Sequence, residues 1–341
     1  MGISFYTFNS ISYTIDIFRG RLAPARSFLE FSTFVAMFPH LVAGPIVRYA
    51  DMAEQFERLA PRPRADEWLT GLWMFGLGMA KKVLVADVVA RGMVDPLWRH
   101  AGALDSAEAW LASLGYTVQI YFDFSGYSDM AVGLALLLGF RFPQNFDSPY
   151  RSLNIAEFWR RWHMSLSFWI RDYLYIPLGG SRGGPLLVTR NLVLTMLLGG
   201  LWHGAGWTFA VWGLYHGALL TGHAWLQRRD WVPASRPLSI ATTLLAVTAG
   251  WVIFRATTLS EALHLLAVMA GLRGGEGGHL AMVTPESAGT LIIAAGIVIA
   301  APNTWQMRFP RTRLAAVALA ALLLFCVLRF AAPSPFVYFQ F

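Results

Sequence analysis

The chain has 341 residues, of which 56% are hydrophobic and only 14% charged, where a soluble domain carries about 25% charged residues. That thin polar skin and a mean hydropathy of +0.47 exclude a soluble globular domain and a disordered chain alike. One cysteine, Cys326, excludes a disulfide framework and a zinc–thiolate cluster. The remaining class is a polytopic membrane protein, with the net charge of +7 assigned to loops and lipid headgroups rather than to nucleic acid.

In chain order, MGISFYTFNS has no charged n-region and no cleavage site. It reads as the middle of an apolar region, not as a signal peptide. A spanning helix needs about 20 mostly apolar residues. Windows free of Asp, Glu, Lys and Arg locate the candidates. The first is 31–47. The next, 68–80, continues past Lys81 and Lys82 into 83–89. Then 109–122 runs into 130–140 through YFDFSGYSDM, which places Asp123 and Asp129 inside an apolar run. Charges at bilayer depth face the protein interior. Two readings stand for these carboxylates: a helix bend at Gly126 with the acids capping backbone or pairing with Arg, or a direct catalytic role. The segment FWRRWHMS, 158–165, interleaves aromatic residues with Arg and is expected to form an amphipathic helix at the interface.

The Gly-rich stretch 177–185 reads as a turn. Window 191–227 is too long for one span, and GAG at 204–206 offers a break. We expect two helices in a hairpin with Trp202-His203-Gly204 near its tip. Further windows are 237–254, 287–307 and 314–328, and the Gly-rich 271–278 is an exposed loop. Basic residues cluster in 141–190, 228–236 and 308–313, while 255–285 holds only Arg255 and Arg273. The positive-inside rule puts the three clusters in the cytoplasm and 255–285 outside. No repeat or internal boundary divides the chain, so 1–341 is expected to be one transmembrane domain.

Histidine carries the chemical interest. His163, His203 and His216 lie in aromatic and glycine-rich surroundings. Imidazole exchanges a proton near neutral pH and serves as general acid or base on a hydroxyl; it also serves as a plain hydrogen-bonding group between helices. No His-x-x-x-His or Glu-x-x-His pair accompanies these residues, so no metal site is expected. Nucleophile elbow, Rossmann fingerprint and P-loop are all lacking. His40, His100, His223, His264 and His279 read as structural or surface residues.

Several segments together resemble the membrane-bound O-acyltransferases, most closely the bacterial alginate O-acetyltransferase branch. They are GISFYTFNSISYTIDIFRG (2–20), FPHLVAGPIVRY (38–49), QIYFDFSGYSDMAVGLALLLGF (119–140), FPQNFDSPYRSLNIAEFWRRWHMSLSFWIRDYLYIPLGGSR (142–182), RNLVLTMLLGGLWHGAGWTFAVWGLYHG (190–217) and SPFVYFQF (334–341). The resemblance implies an all-α polytopic protein of the bacterial inner membrane, with amphipathic and re-entrant helices around a central tunnel. It implies transfer of an acyl group, with acetyl-CoA as donor substrate and no bound cofactor. The acceptor it implies is an exported polysaccharide or a periplasmic partner of SGNH type, in contact with membrane lipid. His203 matches the family's invariant histidine. His163 matches its second site residue, which is Asn, Asp or His depending on branch. Trp162, Trp202, His216 and Asp123 are supporting residues, and Arg160, Arg161 and Arg171 are candidates for the donor's phosphates. In this branch GISFYTF follows roughly a hundred further apolar residues, so the chain is expected to be short at its N-terminus. Two rivals stand beside catalysis: a conduit that moves an acyl donor unchanged, suited by Asp123, Asp129 and the histidines, and a scaffold in which His163 and His203 are dispensable.

Overall fold

The computed structural model describes residues 3–41, 44–58, 64–230 and 235–330, and these contain helices and no strand. The segment 334–341 lies outside the described residues. The helices are α1 (Ile3–Phe18), α2 (Phe28–Ala36), α3 (Tyr49–Glu57), α4 (Ala65–Ala80), α5 (Ser106–Leu137), α6 (Ile155–Arg161), α7 (Met164–Ile170), α8 (Pro185–His203), α9 (Trp207–Gln227), α10 (Arg236–Arg255), α11 (Leu259–Met269), α12 (Pro285–Ala300) and α13 (Arg313–Arg329). Many start where the sequence supplies a cap. The side chains of Ser27, Asp105, Asn154, Thr258, Thr284 and Thr312 each accept a backbone N–H of the first turn that has no partner within the helix.

The centre of the molecule is the antiparallel pair α4 and α5. Beyond Ala80 the first of these continues through π-helical turns at Lys81–Ala86 and Ala90–Val94 as far as Trp98. Glycines let the two backbones touch: a Cβ on Gly126 would sit 2.7 Å from the carbonyl oxygen of Gly78, and one on Gly133 would sit 2.6 Å from that of Gly71. Small residues are the usual means of close helix approach in membranes. No helix break falls at Gly126, since α5 runs as one helix from Ser106 to Leu137. The acids are neutralised from across the crossing. Lys82 lies 2.7 Å from Asp123 and 2.7 Å from Asp87. Lys81 lies 2.6 Å from Asp129, which also accepts the Thr304 hydroxyl. The carboxylates therefore pair with lysine, where sequence reasoning named arginine or backbone.

Three other expectations change. Window 31–47 does not form one span, since α2 stops at Ala36 and a short turn, Phe38–Leu41, follows. Window 287–307 is helical only to Ala300, after which Asn303 caps a 3-10 turn. Segment 158–165 is two short helices, α6 and α7, broken at Trp162 and His163. Both of these side chains are buried in the core instead of lying at a surface.

The remaining windows are helical. The pair α8 and α9 forms the expected hairpin, broken at 204–206, with Gly200 and Gly213 at the crossing. By length and composition, Pro185–His203 and Arg236–Arg255 are long and apolar enough to cross a bilayer. Around a hydrophobic core, the outer surface is also rich in large apolar residues and several ionisable ones are buried. Ile292 and Ile299 of α12 and Leu314 and Leu328 of α13 are at least 70% exposed, while Glu108, Asp123, His163 and His216 are 1% exposed or less. The two ends differ in composition. At one, Arg141 meets Glu67 and Arg311 meets Asp66. At the other, Arg255 meets Asp95, and the 277–280 backbone folds over the start of α5.

Candidate active site

Two backbone interruptions bring two imidazoles together. His163 stands between α6 and α7 with φ of +44°, a left-handed conformation that few non-glycine residues adopt. The strain is offset by a hydrogen-bond cluster around Asn145. The Met164 N–H donates to the Asn145 carbonyl at 2.9 Å. The Ser165 N–H and hydroxyl both donate to Asn145 Oδ1, at 3.3 and 2.9 Å. Ser165 Oγ also accepts the Ile46 N–H, and Asn145 Nδ2 donates to Ser128. Because Oδ1 accepts only, His163 Nδ1, 3.1 Å away, must carry the proton. Nε2 is then the basic nitrogen of the neutral ring. It is buried and has no hydrogen-bond partner among the described residues. Phe124 of α5 packs edge-on against the ring at 4.7 Å.

His203 is the last residue of α8, where Gly204 ends the helix. The rings of Trp202, Trp212 and Phe254 surround it at 4.8, 5.3 and 5.3 Å. The two histidines are near enough for a charge on one to be felt by the other. Phe254 is in the last turn of α10, so the hairpin tip reaches the level of the less basic end. A cavity of about 140 Å³ is lined by His203, Trp159, Trp212, Thr195, Arg171 and Tyr175. The indole N–H groups of Trp159 and Trp212 and the Thr195 hydroxyl are buried without a partner among the described residues.

The other sequence-predicted residues fall into three groups. Trp202 touches His203 and packs on Phe8 of α1. Trp162 and His216 are packing neighbours of the site. Trp162 stacks among Tyr150, Phe158 and Trp251, and His216 is wedged between Trp159 and Trp212 against Gly250. Asp123 belongs to the separate Lys82 cluster. Of the arginines, Arg171 lines the cavity mouth beside Asp172, Arg161 is held by Asp147 and Glu157, and Arg160 is exposed. Among the described residues no group of three or more His, Cys, Asp or Glu is placed to hold a metal.

The model of the MBOAT, membrane-bound O-acyltransferase, family matches residues 22–263 of the chain, a span that includes both histidines, Asn145 and the whole cavity wall. The chain belongs to the membrane-bound O-acyltransferase family. It is 51% identical over 273 residues to the probable alginate O-acetylase AlgI of Azotobacter vinelandii, covering 79% of this chain and 53% of that protein. It is 47% identical to the AlgI protein of Pseudomonas aeruginosa, covering 86% and 56%. It is 40% identical to the peptidoglycan O-acetyltransferase of Helicobacter pylori, covering 84% and 59%. The chain thus spans somewhat more than half the length of these relatives.

For a membrane-bound O-acyltransferase, sequence reasoning missed the groups that hold and surround the histidines: Asn145, Ser165, Trp159, Trp212 and Thr195. Asn145 carried a signal, as an amide within FPQNF that must find partners once buried. The indoles and Thr195 carried none, being common residue types on apolar helices.

Proposed function

We propose that the chain is an O-acetyltransferase of the bacterial inner membrane that spans the bilayer several times. Its end bearing Arg141 and Arg311 faces the cytoplasm. An acetyl group passes from acetyl-CoA to a hydroxyl of an exported polysaccharide or of a periplasmic SGNH-type partner. The observation that carries this reading is His203 in the wall of a mostly apolar cavity that Arg171 also lines, with His163 near enough to feel a charge on His203. The names of the relatives, which specify acetylation of alginate and of peptidoglycan, support the substrate class.

His203 acts as general base. It takes the proton of the acceptor hydroxyl while that oxygen bonds to the thioester carbonyl carbon. Collapse of the tetrahedral intermediate breaks the carbon–sulfur bond, and the thiolate leaves with the proton returned by His203. His163, protonated on Nδ1, offers a lone pair at Nε2. It orients the acceptor by receiving a hydrogen bond, a role better suited to this tautomer than donation to an oxyanion. The unpaired indole N–H groups of Trp159 and Trp212 are the donors available to the developing negative charge. Arg171 meets phosphate at the mouth, with Arg160 and Arg161 behind it.

The test is acetyl transfer from radiolabelled acetyl-CoA in membranes carrying the chain or its His203→Ala form. A fall of about 10²–10⁴-fold is expected. Transfer at the parent rate in the variant overturns the reading.

A further inference from the structure

We infer that Thr195 binds the donor's thioester arm, accepting into the cavity a chain that carries a second amide beyond the sulfur. The inference rests on the acyltransfer reading above.

Helix threonines in this chain regularly turn the hydroxyl back to the carbonyl four residues earlier. Thr33, Thr70, Thr117 and Thr243 do so at 2.7–2.8 Å. Thr195 does not. It is 6% exposed, and its hydroxyl has no partner among the described residues. Thr221 shares that lack but lines no part of the cavity. A buried hydroxyl that makes no bond to the local acceptor is costly unless another group supplies one, and Thr195 is a residue of the cavity wall.

Position gives the ligand's chemistry. Thr195, Gly199 and His203 are spaced by four along α8, so they form one stripe, and all three line the cavity. Gly199 keeps the middle of the stripe open: a Cβ there would meet only Ile170, at 3.5 Å. Eight residues of helix separate Thr195 from His203 by about 12 Å. An extended chain covers roughly 3.5 Å for every three bonds, so nine bonds reach about 10 Å. In a pantetheine thioester the second amide carbonyl stands nine bonds from the reacting carbonyl. The slot therefore places that amide beside Thr195 when the acetyl carbon is at His203, with the hydroxyl donating to the amide oxygen. A shorter donor ending at its first amide would stop short of Thr195.

The experiment measures binding of two non-transferable thioethers to membranes carrying the full chain: S-ethyl-pantetheine, which has both amides, and S-ethyl-N-acetylcysteamine, which has only the first. Thr195→Val should weaken the longer probe about tenfold, the effect of one hydrogen bond, and leave the shorter unchanged. Thr195→Ser should restore it. Gly199→Leu, which fills the slot, should abolish binding of the longer probe. Equal affinity of parent and Thr195→Val for the longer probe overturns the inference, as does an equal loss for both probes or a parent that binds neither. Failure of His203-dependent acetyl transfer is read separately, and overturns the function without altering the binding comparison.

Discussion

At the residue scale, Asn145 determines what His163 can do. One amide oxygen fixes the imidazole tautomer and also holds the Ser165 hydroxyl and N–H. Removing it strands several buried polar groups, each costing roughly 1–3 kcal/mol. Asn145→Leu is expected to lower the thermal midpoint of the detergent-solubilised protein and to reduce acetyl transfer together, whereas His163→Asn, which keeps a polar group at the position, should change transfer with little loss of stability. The chemistry of this cluster was half legible in the sequence. His163 and His203 stood out because imidazole is rare in apolar surroundings. Their partners did not, because Asn145 is brought to His163 by a fold contact that no local pattern encodes.

Among elements, the legible features were those with a local cause. The α8–α9 hairpin was readable from GAG at 204–206, and α10 and α13 from uninterrupted apolar runs. The partners of Asp123 and Asp129 on α5 were not readable, since Lys82 and Lys81 come from the π-helical turn that follows α4. The break at Trp162 and His163 was hidden for a related reason: no glycine or proline marks it, and tertiary hydrogen bonds hold the backbone in place. The α4–α5 crossing can be probed at its narrowest point. Gly126→Ala pushes a methyl onto the Gly78 carbonyl and the Lys82 backbone, so it should destabilise by roughly 1–3 kcal/mol, read as a lower midpoint in denaturant. The equally conservative Gly222→Ala, where nothing lies within 4 Å, should have no such effect.

For the whole molecule, large apolar residues also cover the outside while paired charges lie inside beside the hydrophobic core, so lipid or detergent covers what water covers on a soluble protein. The bundle's less basic end is pinned by Glu108. Burial alone would push its carboxyl up, but the N–H groups of Asp105 and His279 and the His279 ring outweigh this and hold it below the usual glutamate range. A carboxyl depressed in the folded state stabilises above its ordinary value, and that contribution is lost as pH falls through the folded value. The midpoint of the solubilised parent should therefore drop on acidification below about pH 4.5, the ordinary glutamate value. Glu108→Gln should be less stable near neutrality and show a smaller acid-induced drop. Parallel curves for the two proteins would remove Glu108 from the account.

The left-handed backbone at His163 also limits which residues the position admits. Asn, Asp and His enter that region several-fold more readily than other side chains with a Cβ. Geometry thus restricts the position before chemistry does: an amide or a carboxylate can replace the imidazole without rebuilding the turn. Branched or purely apolar replacements would have to unwind it.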